Sequence, residues 1–368
     1  MCHPHSSTWK LRAEKTTNYH PLYQGESGQA RHFSWGHLGV AFGAVIQVGA
    51  GHGDVFSHRI LFQEEDPWWN PMHLTLYVGI LIVVLALLRS GTRRRSGLES
   101  GHRLGYRVAY LGVGTQVVAG VWNEIQHRFL GSEPRFAPAH ALLVVGMVLL
   151  VLSSLTILST DYLTLGRARP AQREMALLRV SLVAVFAAVW LLAAGSAIWL
   201  GGITEDVGVR MFLVAALGAT GPLVILPALY LFGRFGYATA IGTVYTAFNL
   251  LMIVGFAGAE LYLPFGLLAP AFADLAFLEV RRRVGRFMTM AVIGGLLGLL
   301  VYPTHYPYTP YVFGVETLLT LDVYMALAAV GGLIAATIAW LVLPRASNSL
   351  VDREIPWAVG DMSLPQPS

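Results

Sequence analysis

Apolar residues run along this chain in long stretches parted by short polar segments, and ten such stretches follow one another between residues 35 and 343. A helix needs about 20 apolar residues to cross the ~30 Å hydrocarbon layer of a bilayer. The pattern therefore predicts an all-α fold, a polytopic transmembrane helical bundle of about ten helices. The predicted spans are 35–62, 70–89, 103–130, 137–160, 174–200, 209–233, 236–262, 265–280, 286–302 and 320–343. The eighth and ninth are short for a full crossing and are expected to tilt, re-enter or lie against neighbours. Residues 1–34 and 344–368 are polar and read as cytoplasmic tails. Pro303, Tyr306, Pro307, Tyr308, Pro310 and Tyr311 mark the last long connection as an outer-face loop with interfacial aromatics.

Composition agrees with that reading. Of 368 residues, 55% are hydrophobic and 12% charged, and the mean hydropathy is +0.57. A soluble domain carries about 25% charged residues. The formal charge of +4 comes from basic loops. Arg89, Arg93, Arg94, Arg95 and Arg103 lie between spans two and three, and Arg167, Arg169 and Arg173 between four and five. Arg234 follows span six, and Arg281, Arg282, Arg283 and Arg286 separate eight from nine. The alternate connections carry Glu64, Glu65, Asp66, Glu205 and Asp206. The positive-inside rule then places both termini in the cytoplasm. Such basic loops fit anionic lipid at an integral membrane protein's inner face, and no nucleic acid is expected as a partner. The single cysteine, Cys2, excludes an intrachain disulfide and a thiolate metal cluster.

The first four spans contain a repeat. Gln47-Val-Gly-Ala-Gly-His-Gly-Asp54 aligns with Gln116-Val-Val-Ala-Gly-Val-Trp-Asn123, and His58-Arg59-Ile60-Leu61 with His127-Arg128-Phe129-Leu130. Pro71-Met72-His73 then matches Pro138-Ala139-His140, and Gly79 matches Gly146. Residues 35–160 thus read as duplicated, ligand-bearing hairpins, and 174–343 as further helices. A degenerate third hairpin is expected near 236–280, where Ala257-Gly258 and Ala269-Pro270-Ala271 keep the landmarks. Leu261, Phe265 and Phe272 stand there at the ligand positions.

Residues four apart share a helix face, so Asp54 with His58, and Asn123 with His127, each present an oxygen and an imidazole together. An antiparallel hairpin brings His73 or His140 to the same depth, with Pro71 or Pro138 setting the start of the returning helix. Ionisable groups at membrane depth are costly and usually face a bundle interior or a wet cavity. An imidazole–imidazole–carboxylate set suits copper, zinc or non-haem iron. The competing account is hydrogen bonding between helices as structural glue. Gln47 and Gln116 are expected to bond across helices in that way. His52 and Trp122 flank the ligand pairs, Glu124 and Arg128 can pair along one helix, and Trp68 and Trp69 read as interface anchors. Glu260 and Asp274 are candidates for a separate polar pathway.

The order Asp-x3-His…His followed by Asn-x3-His…His resembles the C subunit of the copper membrane monooxygenases, the particulate methane and ammonia monooxygenases, over residues 45–150. The resemblance implies one intramembrane copper site of Asp54, His58 and His73, the catalytic one, and a neighbouring site of Asn123, His127 and His140. Both lie near the extracytoplasmic side. It implies a copper-dependent oxidoreductase acting with dioxygen on a small apolar or lipid-like substrate. Electrons would come from a donor such as quinol, and other membrane subunits or a homo-oligomer would complete the assembly. The same residues also suit a metal-ion or proton transporter, or, with His73 and His140 as axial ligands, a haem-binding electron carrier.

Overall fold

The structure, a computed structural model, describes residues 34–60, 71–91, 100–130, 138–168, 171–203, 206–257, 265–284, 286–305 and 321–351. These residues fall in one compact unit, Phe33–Ser368. The fold is all-α. Among the described residues ten helices follow one another: α1 Trp35–Ile60, α2 Pro71–Gly91, α3 Ser100–Leu130, α4 Pro138–Ala168 and α5 Gln172–Ile203. Then come α6 Val207–Phe232, α7 Tyr237–Ala257, α8 Phe265–Val284, α9 Arg286–His305 and α10 Leu321–Val351. Each apolar stretch becomes one helix. Pro71 and Pro138 open α2 and α4, where a missing amide hydrogen costs nothing. The ends of α4 and α10 run past the expected limits of 160 and 343, because helical hydrogen bonding continues beyond the last apolar residue. The expected tail at 344–368 therefore starts inside a helix.

Five helices are long and apolar enough to cross a membrane: Pro71–Ser90, Pro138–Leu165, Gln172–Ala197, Val207–Phe232 and Asp322–Leu343. Gly266–Phe277 and Phe287–Leu300 are apolar but shorter, as expected of the eighth and ninth spans. Apolar residues also cover the outside of the fold. On α2, Leu81, Leu85 and Leu88 are more than half exposed, as are Leu111, Val117, Val118 and Val121 on α3.

Small residues set the helix spacing. A Cβ on Gly43 would lie 2.7 Å from Gly79 O and from Val83 Cγ2, and one on Gly79 would lie 2.6 Å from Gln47 Cγ. The α3–α4 contact has the same construction: a Cβ on Gly112 would lie 3.1 Å from Gly146 O, and one on Gly146 would strike Gln116 Cγ. A related notch joins α7 to α8, where a Cβ on Gly242 would meet Gly266 O at 2.8 Å and Pro270. Pro270 lies inside α8, as the expected span 265–280 has it, and Gly266 meets Gly242 as Gly79 meets Gly43. Counting from these glycines, Ile253 replaces Asp54, and Glu260 stands where His73 does. Leu261 and Glu260 lie outside the described residues, as does the side chain of Phe265; Phe272 is half exposed.

The remaining helices pack through aromatic rings and further small residues. Trp190 of α5 stacks on Tyr245 of α7 at 4.1 Å, and both are buried. Helix α10 is clasped between α6 and α9, with Gly331 against Ala215 O and Gly332 against Gly294 O.

Candidate functional site

Three ionisable side chains from three helices meet in the interior. His37 and His102 belong to the first turns of α1 and α3, and Asp161 to the last third of α4. His37 Nδ1 lies 2.6 Å from Asp161 Oδ2, and His102 Nε2 lies 2.9 Å from Asp161 Oδ1. The two imidazole centroids are 4.9 Å apart, and the buried Tyr106 ring lies 5.7 Å from that of His37. All three members of the group are at least nine-tenths buried. One ligand atom from each comes within 4.8 Å of the others, a geometry able to hold a metal ion.

The charge balance of this group is informative. Asp161 accepts one hydrogen bond on each oxygen, so each histidine turns one N–H toward the carboxylate and keeps a second nitrogen for another partner. With both imidazoles neutral, the buried group carries one negative charge. The first turns of α1 and α3 place two positive helix-dipole ends beside it, which offset that charge in part. A proton would neutralise the group, and a divalent metal ion would leave it with one net positive charge. A carboxylate that fixes histidine orientation is also the usual outer support of a metal–histidine bond.

The structure brings together only part of the first expected set. His73 Nε2 lies 3.3 Å from Asp54 Oδ1, each side chain about one-fifth exposed. The side chains of His58 and His127 lie outside the described residues. Asn123 is half-buried, and its Oδ1 has no hydrogen-bond partner among the described residues. His140 is half-buried in the first turn of α4. Deeper in the fold, Gln116 Nε2 donates to Gln47 Oε1 at 2.5 Å, so the expected bond across helices is present. Both glutamines are essentially inaccessible, and Gln47 Nε2 and Gln116 Oε1 find no partner among the described residues.

Other candidates take structural places. His52 faces α5 and α7, its ring 5.8 Å from Phe248 and its Nδ1 against Gly195, away from the helix that supplies His73. Trp122 is exposed. Glu124 is exposed, the Arg128 side chain is outside the described residues, and so are Trp68 and Trp69. Asp274 has a structural role in the fold. It is fully buried and caps α7, accepting from Thr239 N at 2.8 Å and Thr239 Oγ1 at 2.6 Å. The free amides of a helix N-terminus require such an acceptor when buried.

His37, His102 and Asp161 escape a reading based on repetition. They fall at the edges of predicted spans, and the repeat places Tyr106 opposite His37 instead of a second histidine. The available signal is chain direction: alternating helices bring the starts of α1 and α3 and the end of α4 to one side of the bundle. No family model, no curated protein and no solved structure matches this chain.

Proposed function

We propose that this chain is an integral membrane protein that binds a transition-metal ion in the interior of its first four helices. The observation that carries the proposal is the buried His37–Asp161–His102 group. Two imidazoles and a carboxylate form an N,N,O donor set suited to copper, zinc or iron. Burial of an acid with two histidines is expensive unless a function retains it. The five long apolar helices and the apolar outer surface support the membrane reading.

The matched notches Gly43/Gly79 and Gly112/Gly146, together with the Gln47–Gln116 bond, support α1–α2 and α3–α4 as two copies of one hairpin. The arginine-rich connections support a cytoplasmic position for the His37/His102/Asp161 end and for both termini. From His37 to Asp54 helix α1 rises about 25 Å at 1.5 Å per residue. The Asp54/His73 pair then belongs to the opposite face.

That pair favours a second reading. The 3.3 Å approach of His73 to Asp54 is what the likeness to copper membrane monooxygenases requires of two ligands of one site. His58 would complete it, and Asn123, His127 and His140 would form its neighbour. Copper bound there would supply dioxygen activation for oxidation of an apolar substrate, with quinol or another carrier as reductant. Elemental analysis of detergent-purified protein tests both readings. Loss of about one equivalent of metal in His102→Ala, with Asp54→Asn/His73→Ala retaining it, supports the inner centre. The opposite pattern supports the outer one, and wild-type protein without copper, zinc or iron above background overturns both.

A further inference from the structure

A groove of about 370 Å³ opens on the outer surface between the first turns of α1 and the last turns of α2. Gly36, Gly39, Ile82, Leu85 and Ala86 line it, with Trp35 and Arg89 toward the start of α1 and the end of α2. The two helices pack closely beside it: a Cβ on Gly39 would lie 2.8 Å from that of Ala86. Its lining is mainly apolar, with the cation confined to one end. Trp35 is 63% exposed there, the position of an indole at a membrane interface.

We propose that this groove binds one anionic phospholipid, with an acyl chain along Gly36, Gly39 and Leu85 and the phosphate beside Arg89. The inference rests on the membrane reading, and not on either metal centre. Charge complementarity selects the occupant. A guanidinium pairs with phosphate through a planar fork of donors, and Arg89 is the one charged residue lining the groove. A zwitterionic lipid offers the same chain but adds a cationic choline where the site is already positive.

Native mass spectrometry of the full chain in detergent, with added dioleoyl phosphatidylglycerol or dioleoyl phosphatidylcholine, tests this. The expected result is one retained phosphatidylglycerol, favoured over phosphatidylcholine by about fivefold, the ratio one basic residue near a lipid surface implies. Arg89→Gln removes the preference, and Ile82→Trp, which fills the groove, removes both lipids while melting temperature is unchanged. Equal retention of the two lipids by wild type, or an unaltered preference in Arg89→Gln, overturns the proposal. Release of the chain from membranes by alkaline carbonate without detergent overturns the membrane reading itself.

Discussion

His37 Nδ1 and Asp161 Oδ2 stand 2.6 Å apart although 124 residues separate them in the chain. That bond, with its partner from His102, joins the starts of α1 and α3 to the far end of α4. Asp161→Ala would leave two buried imidazole N–H groups without their acceptor. Removing one partner of a buried charged group costs about 3–5 kcal/mol. The expected outcome is a large fall in melting temperature in detergent, larger than that of His102→Ala, which leaves His37 still bonded to Asp161. Addition of metal should raise the melting temperature of wild type and leave Asp161→Ala unmoved, since ligand that binds only the folded state stabilises it.

The Gln47–Gln116 bond calls for a double-mutant cycle. Gln47→Leu alone leaves Gln116 Nε2 buried without an acceptor, a loss of roughly 1–3 kcal/mol. Gln47→Leu/Gln116→Leu removes both polar groups and should recover much of that loss. Chemical denaturation of the four proteins measures the coupling. Additive effects of the two single changes would show that the bond contributes nothing.

Packing of α10 depends on the absence of a side chain at Gly331, where a Cβ would run into Ala215 O. Backbone cannot give way as a flexible side chain does. Gly331→Ala should therefore cost about 1–3 kcal/mol, the range for forcing extra volume into a packed interior. Gly295→Ala is the control: a Cβ there meets Leu333 side-chain atoms at 3.4 Å, an ordinary contact. Thermal melts of the two variants should separate clearly, with Gly295→Ala near wild type.

Asp274→Ala removes the cap of α7 and should cost about 1–2 kcal/mol. Metal content should stay unchanged, because Asp274 engages Ala238 and Thr239 and no histidine. A loss of metal with retained stability would return Asp274 to the list of functional residues.

The helices were legible because burial in lipid and burial in protein both demand apolar runs, and a run of that length has one backbone solution. The exposed leucines of α2 and the buried core of α5 gave the same signal. Residues at the ends of spans were harder to place. His102 precedes its predicted span and Asp161 follows its own, so each read as a boundary, and only tertiary packing shows that they meet. The repeat made Asp54, His73, Gln47 and Gln116 visible in advance, and the structure joins them in pairs. The third hairpin is less legible, because a proline can open a helix or sit within it, and Pro270 sits within α8 beside the Gly242–Gly266 notch.

Gln47 and Gln116 are the same residue at the same place in matching hairpins, yet the single bond between them makes one a giver and the other a receiver. An identical pair so joined cannot remain equivalent. One half of the core presents a spare N–H and the other a spare carbonyl oxygen, and the matched position holds a carboxyl group, Asp54, in one half and an amide, Asn123, in the other. The first four helices are thus alike in shape and unlike in polarity.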